Sequence, residues 1–288
     1  MSQELQQLLG PLILLPLMFV VGLQLVPDDF RRVFAAPRAV VGGTLGQLLL
    51  LPLMTWAVVV VLEVPPVFAA GALLLAATPG AGMSNVMAAV AGADVALSVT
   101  LTAVSSLLAV VTLPALAAVG IRFFIGDALE VEVPVGAMVQ QLVTYLASPI
   151  GLGMWVRARR PEASKRYVSV ANRAAVVGVL VLTAMGALAG GSSLPGGSEF
   201  FVAALAALLW TVFAMALGFG MGSILALDRD QRFTFVIEFS ARNLALTIII
   251  AVAALGRLDM GLFAGVYGAT GFVLILLVAV LRGRLKAR

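Results

Sequence analysis

One acidic and one basic side chain lie inside an otherwise apolar stretch near the C-terminal end of the sequence. Glu238 and Arg242 follow Phe-Thr-Phe-Val-Ile and precede Leu-Ala-Leu-Thr-Ile-Ile-Ile. A charge buried among apolar groups is costly, so an ionisable residue there predicts a functional site. On a helix the two residues stand four apart with the acid first, the favourable order for an ion pair. The alternative is a structural pair that only ties two helices together.

A second polar stretch interrupts an apolar run much earlier in the chain. Thr-Pro-Gly-Ala-Gly-Met-Ser-Asn occupies positions 78 to 85. Proline removes a backbone donor and clashes with the preceding turn, and the glycines lower the cost of non-helical dihedrals. The pattern therefore predicts a broken helix, or alternatively a kink that serves packing alone. Each of the two stretches contains one asparagine, Asn85 or Asn243.

The elements that must carry these residues are helices in a membrane. Of the 288 residues, 62% are hydrophobic and 11% are charged, and the mean hydropathy is +1.12. Soluble domains carry about 25% charged residues, so this chain lacks the polar surface that water requires. Long apolar runs recur along the whole sequence, and each is long enough for a helix that crosses a bilayer. The sequence thus predicts an all-α polytopic integral membrane protein.

Nine spans are predicted, joined by loops too short to hold a soluble domain. The first run is interpreted as a retained helix, because its start is acidic and no cleavage site follows it. The predicted spans are 7–26, 38–62, 66–91, 94–119, 133–156, 169–190, 199–226, 232–255 and 260–281.

The basic residues predict the orientation of these spans. With the C-terminus inside, fifteen of the 18 Lys and Arg fall in inner segments and only Arg122 and Arg257 in outer ones. The remaining one is Arg242, within a span. This bias predicts an outer N-terminus and an inner, cytoplasmic C-terminus in the inner or plasma membrane of a cell. A role in orienting the spans is sufficient to explain the basic residues of these loops. The alternative is that they bind anionic lipids.

The two interrupted spans run in opposite directions across the predicted membrane. Paired broken helices in the two halves of a chain are typical of a transport site built by an inverted repeat. Half-helix N-termini suit an anion, and free carbonyls suit a cation. Asn85, Asn243 and Gly82 are therefore the candidate substrate-binding residues of a secondary transporter.

Other function classes receive little support from the composition. The chain has no Cys and no His, so it lacks thiolate chemistry and the commonest metal ligand. Glu238 is the one acid placed deep in a span, which disfavours an enzyme that uses a pair of carboxylates. The net charge of +4 reflects the basic loops and does not indicate nucleic-acid binding.

Several motifs resemble the bile acid:sodium symporter family, in collinear order over nearly the whole chain. The matching stretches include Pro-Gly at 79–80, Ser-Asn-Val-Met at 84–87 and Gly-Ala-Asp-Val-Ala-Leu-Ser-Val-Thr-Leu-Thr at 92–102. They continue through Thr-Leu-Pro at 112–114 and Glu238 to Asn243. The block from Pro79 to Pro114 is the most specific part.

The resemblance implies a fold with inverted repeats, two crossed discontinuous helices, a core domain and a panel domain. Some members have ten spans, and this sequence is similar to the nine-span form. On that mapping the panel comprises spans one, five and six, near 7–26, 133–156 and 169–190. The core comprises the other six, near 38–62, 66–91, 94–119, 199–226, 232–255 and 260–281.

The resemblance also implies two sodium sites. Members that bind two sodium ions hold the first with side chains that match Ser84, Asn85, Ser98, Thr102 and Glu238. All five carry oxygen, as a hard cation requires. The second ion would use Gln47, Glu238 and the position of Arg242, where the family usually has Gln. A threonine often found at the position of Gly82 is also absent.

Simpler roles compete with these assignments. Gln47 follows Gly-Gly-x-x-Gly, a pattern of close helix contact, and an interhelical hydrogen bond would explain it. Ser98 and Thr102 share one helix face, but hydroxyls in helices often bond their own backbone.

Together these observations predict a secondary active transporter of a small organic anion, with alternating access around a site at the membrane midplane. Because Arg242 would replace the second sodium ion, coupling to at most one sodium ion is expected. A rival interpretation lets Arg242 pair directly with the substrate anion. The alternative function is a sodium-independent uniporter, facilitator or channel-like protein with a structural Glu238–Arg242 pair. No cofactor other than a possible sodium ion is expected, and the sequence indicates neither the anion nor an oligomeric state.

Overall fold

The computed structural model describes most of the chain, and all regular elements in that part are helices. The described residues are 15–16, 18–25, 31, 34, 36–80, 82–126, 135–164, 167–168, 197–255 and 257–287. The predicted sixth span, 169–190, lies outside them. The predicted first span is described only at 15–16 and 18–25, where residues 18–24 are helical.

The helices follow the predicted spans closely. The bounds are α1 Pro37–Val61, α2 Pro66–Ala77, α3 Gly82–Val90, α4 Val95–Phe124, α5 135–159, α6 Gly197–Ile224, α7 Arg229–Ser240, α8 Leu244–Ile249, α9 Leu258–Ala269 and α10 Gly271–Lys286. Single π-helical turns lie within α1 (Gly46–Leu50) and α5 (Val143–Ala147), and another, Ile250–Ala254, follows α8.

Four helical segments of the described chain are long and apolar enough to cross a membrane. They are Pro37–Val61, Val95–Phe124, Phe200–Ile224 and Asp259–Lys286. The third and eighth predicted spans fall short of that length because each is divided into two shorter helices. The described part of the chain is accordingly all-helical and has the long apolar helices of an integral membrane protein, as the composition predicts.

Pro79 determines where the first broken helix ends. The residue before a proline is disfavoured in the helical region, and Thr78 is extended with φ −70° and ψ 151°. Helix α3 then begins at Gly82. The predicted break therefore proves shorter than 78–85: Ser84 and Asn85 are helical, because one proline interrupts only the turn around itself.

The second broken helix is interrupted without a proline. Helix α7 ends at Ser240, and Ala241 is extended with φ −86° and ψ 92°. Asn243 begins α8 as its N-cap, and its side-chain oxygen accepts a hydrogen bond from the Leu246 amide at 3.0 Å. An asparagine at the N-cap satisfies one of the backbone donors that a helix start leaves unpaired.

The ninth predicted span is one helical segment, Asp259–Lys286, with a local distortion at Thr270. Helices α9 and α10 meet at Thr270, whose φ of −115° and ψ of −73° depart from the helical values. A glycine follows at position 271, where a Cβ atom would lie 2.9 Å from Cδ2 of Tyr267. This close approach leaves no space for a side chain, which explains why a small residue stands at the bend.

Buried apolar residues form two large clusters, each contributed by a different set of helices. One cluster joins α1, α2, α3, α6, α7, α8, α9 and α10. The other brings residues 18–25 and α5 against α2, α4, α8 and α9. Residues 18–24 also pack tightly on α5, since a Cβ on Gly153 would lie 2.8 Å from Cα of Gly22.

The C-terminal helix contacts both broken helices at one end of the molecule. Arg282 and Lys286 of α10 form ion pairs with Asp230 of α7 at 2.7 and 2.6 Å. The same two side chains donate hydrogen bonds to the backbone oxygens of Ala91 and Gly92, directly after α3, at 2.8 and 2.7 Å. We call this group of three charged residues the basic clasp. It lies at the end that the charge pattern predicts to be inside.

Candidate ion-binding site at the crossing of the two broken helices

The two interruptions lie against each other in the interior of the protein. The amide of Asn243 donates a hydrogen bond to the carbonyl of Pro79 at 3.1 Å. Gly80 and Arg242 form an isolated antiparallel bridge. Each break thus supplies hydrogen-bond partners for the other, which is the condition under which irregular backbone persists at membrane depth.

Five side chains from three helices meet directly beside this crossing. The Ser98 hydroxyl lies 2.6 Å from Oε1 of Glu238 and 2.8 Å from Oδ1 of Asn85. The Thr102 hydroxyl lies 3.2 Å from Oε2 of Glu238 and 3.4 Å from the hydroxyl of Ser84. The structure therefore brings together all five residues that the sequence suggested for the first ion. We call them the oxygen cluster.

The members of the oxygen cluster are buried, and their side chains point across the helix interfaces. None of the five residues is more than 4% exposed. Ser98 and Thr102 of α4 contact α3 and α7, whereas Thr100 on the same helix donates to its own turn, at Ala96, with 2.8 Å. The sequence alternative of bonding within the helix thus describes Thr100 and not its two neighbours.

The oxygen cluster contains more short oxygen–oxygen contacts than its hydroxyl hydrogen atoms can bridge when Glu238 is ionised. The Ser98 hydroxyl has one hydrogen, yet it stands within 2.8 Å of two oxygens, one on Glu238 and one on Asn85. With the Asn85 amide nitrogen turned toward Gln24, both of these oxygens are acceptors when Glu238 is ionised. One contact then lacks a hydrogen. A proton on Glu238 would supply the missing hydrogen, and a hard cation among the oxygens would remove the need for one, so the donor set is compatible with a sodium ion.

Gly80 packs directly against the oxygen cluster, although the sequence did not single it out as a site residue. A Cβ atom at this position would lie 2.7 Å from Oε2 of Glu238 and 2.9 Å from the hydroxyl of Thr102. Carbon atoms do not approach neighbouring oxygens so closely without displacement. The glycine therefore allows the backbone of the first break to approach the carboxylate.

Neutral oxygens surround the guanidinium of Arg242 on the other side of the crossing. Its Nη1 donates to Oε1 of Gln47 at 3.0 Å and to the backbone oxygen of Glu238 at 3.1 Å. Its Nη2 donates to the backbone oxygens of Ala76, at 3.2 Å, and Thr78. Arg242 is only 1% exposed. Four oxygens without formal charge therefore surround a fixed cation.

Arg242 and Glu238 contact each other differently from the pair expected on a helix. Within the described chain the guanidinium forms no ion pair with the carboxylate, and its contact with Glu238 is to the backbone oxygen. The reason is that α7 ends at Ser240, so the spacing of four residues no longer places the two side chains on one helix face.

The three candidate substrate residues do not converge on one point. The Asn85 amide donates to Gln24 of the first helix at 3.5 Å, and a Cβ on Gly82 would lie 3.5 Å from the Gln24 amide nitrogen. Asn243 instead caps α8. Gln24 is a further residue at this interface: its stretch, residues 19–25, resembles the family, but no role at the site was predicted for it.

Two discontinuous helices that meet at a buried polar site within apolar helices are typical of secondary membrane transporters. The model of the sodium bile acid symporter family matches residues 11–194. The chain belongs to this family, which confirms the family predicted from the sequence motifs.

Several curated proteins are similar to most of this chain, and two of those described here are named as sodium-dependent transporters or cotransporters. An uncharacterized sodium-dependent transporter of Bacillus subtilis, YocS, is 27% identical over 243 residues, which cover 82% of this chain and 71% of the relative. The P3 protein of Bos taurus is 28% identical over 86% of this chain and 52% of its own length. The probable sodium/metabolite cotransporter BASS1 of Arabidopsis thaliana is 28% identical over 83% of this chain and 58% of its own. The chain thus spans little more than half the length of the latter two.

Proposed function

We propose that this protein is a secondary active transporter of a small organic anion that couples to at most one sodium ion. The observation that carries the proposal is the environment of Arg242. Four neutral oxygens, three of them backbone carbonyls, surround its guanidinium. Such oxygens are what a hard cation uses as ligands, so the side chain stands where a second ion would otherwise bind.

The charges around the crossing favour one sodium ion and one anion. Glu238 and Arg242 cancel each other in net charge, and the guanidinium stays protonated at any workable pH. One sodium ion in the oxygen cluster adds a single positive charge, which a monovalent anion would balance. The transport cycle would then be electroneutral. Each additional ion would have supplied about 2.3 kcal/mol per 100 mV of membrane potential.

The rival role for Arg242, direct binding of the substrate anion, fits the contacts less well. A guanidinium has five N–H groups, and the structure gives Arg242 four hydrogen bonds to oxygens within the protein. The remaining N–H, at Nε, has no partner among the described residues, but with 1% of the residue exposed an anion has no access to it unless the crossing opens. We therefore place the anion near Asn85 and Gly82, where the first broken helix meets the helix of residues 18–24.

We infer further that the core domain moves against the panel domain. One buried cluster contains only helices assigned to the core, and residues 18–24 pack on α5 through glycines. Residues 18–25 and α5 meet the core at α2, α4, α8 and Met260 of α9. Movement along this boundary would expose the site to alternate sides, with the N-terminus outside and the C-terminus in the cytoplasm.

Sodium titration of thermal stability tests the oxygen cluster without knowledge of the substrate. The purified protein should be stabilised when sodium replaces choline at constant ionic strength. Thr102→Val should abolish this stabilisation because it removes an oxygen that contacts Glu238. Thr100→Val is the matched control, since its hydroxyl bonds its own helix, and it should respond as the wild type does. Equal responses from both variants would reject the site.

A second variant tests the number of ions. The wild type should show a sodium Hill coefficient near one, both in stabilisation and in proteoliposome uptake of labelled organic anions. Arg242→Gln should produce a steeper sodium dependence, because it removes the guanidinium from the four neutral oxygens that could then bind a second sodium ion. A wild-type coefficient near two would reject replacement of the ion by Arg242. Uptake at a rate that does not depend on the sodium concentration would instead favour a sodium-independent uniporter.

A further inference from the structure

The hydroxyl of Tyr267 joins the last predicted span to the break in the second broken helix. Its oxygen donates a hydrogen bond to the carbonyl of Ser240 at 2.7 Å and accepts one from the amide of Arg242 at 3.2 Å. The tyrosine is fully buried on α9. A single side-chain group therefore contacts the backbone on both sides of Ala241.

These two backbone groups have lost their helical partners. In a continuous helix the Ser240 carbonyl would accept from Leu244, and the Arg242 amide would donate to Glu238. Here the Leu244 amide donates to Arg242 O at 3.0 Å, and the Glu238 carbonyl accepts from the Arg242 side chain. The hydroxyl of Tyr267 thus replaces both lost bonds. A buried backbone group without a partner would be costly.

Two other helices determine where that hydroxyl lies. The Tyr267 ring packs edge-on against Trp210 of α6, with a centroid distance of 5.5 Å and an interplanar angle of 90°. The Trp210 indole N–H donates to the Thr55 hydroxyl of α1 at 2.7 Å, and Thr55 donates to Leu51 O. Helix α1 also carries Gln47, which contacts Arg242. Both the side chain and the backbone of Arg242 are therefore connected to α1.

We propose that Tyr267 is a positioning residue that holds the break of the second broken helix and thereby the place of the Arg242 guanidinium. The competing role is that of a bulky aromatic residue whose ring alone fills space. The part of this inference that concerns sodium rests on the proposed function, whereas the part that concerns the backbone does not.

Hydrogen exchange of the full-length protein in lipid nanodiscs tests the backbone part. Tyr267→Phe keeps the ring and removes the hydroxyl, so peptides covering 236–247 should exchange at least about tenfold faster than in the wild type. Peptides covering 203–214 of α6 should exchange at the wild-type rate. Thr211→Val is the matched control, because the buried Thr211 hydroxyl bonds only its own helix, at Ala207. Unchanged exchange at 236–247 in Tyr267→Phe would overturn the proposal.

A sodium titration separates positioning from simple packing. Tyr267→Phe should raise the half-maximal sodium concentration for thermal stabilisation about tenfold while leaving the maximal stabilisation intact. If Tyr267→Phe exchanges faster but binds sodium with wild-type affinity, Tyr267 stabilises only the backbone of the break. That result would reject its influence on the ion site. A wild type without any sodium response would instead reject the proposed coupling, and hydrogen exchange would still decide on the tyrosine.

Trp210→Phe provides a second variant should Tyr267→Phe fail to fold. It keeps the hydroxyl but removes the indole N–H that fixes the aromatic pair to Thr55. The rate of hydrogen exchange at 236–247 should then rise by a smaller factor than in Tyr267→Phe, and the increase should again be confined to these peptides. Wild-type exchange in Trp210→Phe would overturn the arrangement in which α1 and α6 hold the tyrosine.

Discussion

Two arginines near the broken helices are stabilised in opposite ways. Arg242 lies at the buried crossing, where neutral oxygens accept its hydrogen bonds. Arg282 belongs to the basic clasp, where it pairs with Asp230 at 2.7 Å and its guanidinium lies 4.3 Å above the Phe233 ring. Asp230 remains 43% exposed, so water shares in its solvation.

The difference shows what each position requires. A buried cation depends on protein partners, because an unpaired buried group costs its full desolvation energy; both Nη groups of Arg242 are paired, and its Nε has no partner among the described residues. The side chains of Arg282 and Asp230 are 19% and 43% exposed, so water still solvates part of the pair and its net contribution is small. Arg242 should therefore matter for folding and ion coupling, whereas the clasp should make a small adjustment at one end of the molecule.

Removal of each arginine should give the largest contrast. Arg242→Met leaves the carbonyls of Ala76, Thr78 and Glu238 without this donor, and we expect a loss of at least about 3 kcal/mol in the free energy of unfolding. Arg282→Met is the matched control and should cost about 1 kcal/mol or less. Chemical denaturation in mild detergent would measure both. Similar losses for the two variants would contradict the distinction between the two regions.

Gly80→Ala should have an intermediate effect, confined to the crossing. The added methyl group would lie 2.7 Å from Glu238 Oε2, and we expect a cost of roughly 1–3 kcal/mol from overpacking together with loss of sodium stabilisation. Gly265→Ala in α9 is the control, because a Cβ at that position meets nothing within 4 Å. Thermal unfolding with and without sodium would compare them. Sodium stabilisation that survives Gly80→Ala would show that the cluster tolerates displacement.

Asp230→Asn in the basic clasp should have the smallest effect, below about 1 kcal/mol in unfolding free energy and smaller still at high salt. Hydrogen bonds from Lys286 and then Arg282 hold the pKa of Asp230 below its usual value of 3.8. A lowered pKa gives a contribution that is complete above the unfolded-state pKa and is lost as the pH falls through the folded-state value.

The stability difference between wild type and Asp230→Asn should therefore stay constant from pH 8 to about pH 5 and shrink only below about pH 4. Melting temperatures measured across that range would test this expectation. A difference that already changes near pH 6 would indicate that another group controls the clasp.

The sequence alone was sufficient for the class of protein, the family and the spans that carry the site. Apolar composition and span length follow from the cost of placing polar groups in lipid, which acts on every residue separately and is therefore visible in a linear sequence. Pro79 similarly ends α2 through its own geometry. The oxygen-bearing residues from Ser84 to Thr102, and Glu238, were recognised as a group through their resemblance to the family.

Only the tertiary structure decided how these residues meet. The spacing of Glu238 and Arg242 predicted a pair on one helix, but a break without a proline separates them and places the guanidinium among carbonyls. Backbone carbonyls are identical at every position, so no pattern of side chains shows which of them will be left without a helical partner. The role of Tyr267 was invisible for the same reason, because the groups that its hydroxyl serves belong to the backbone of a different helix.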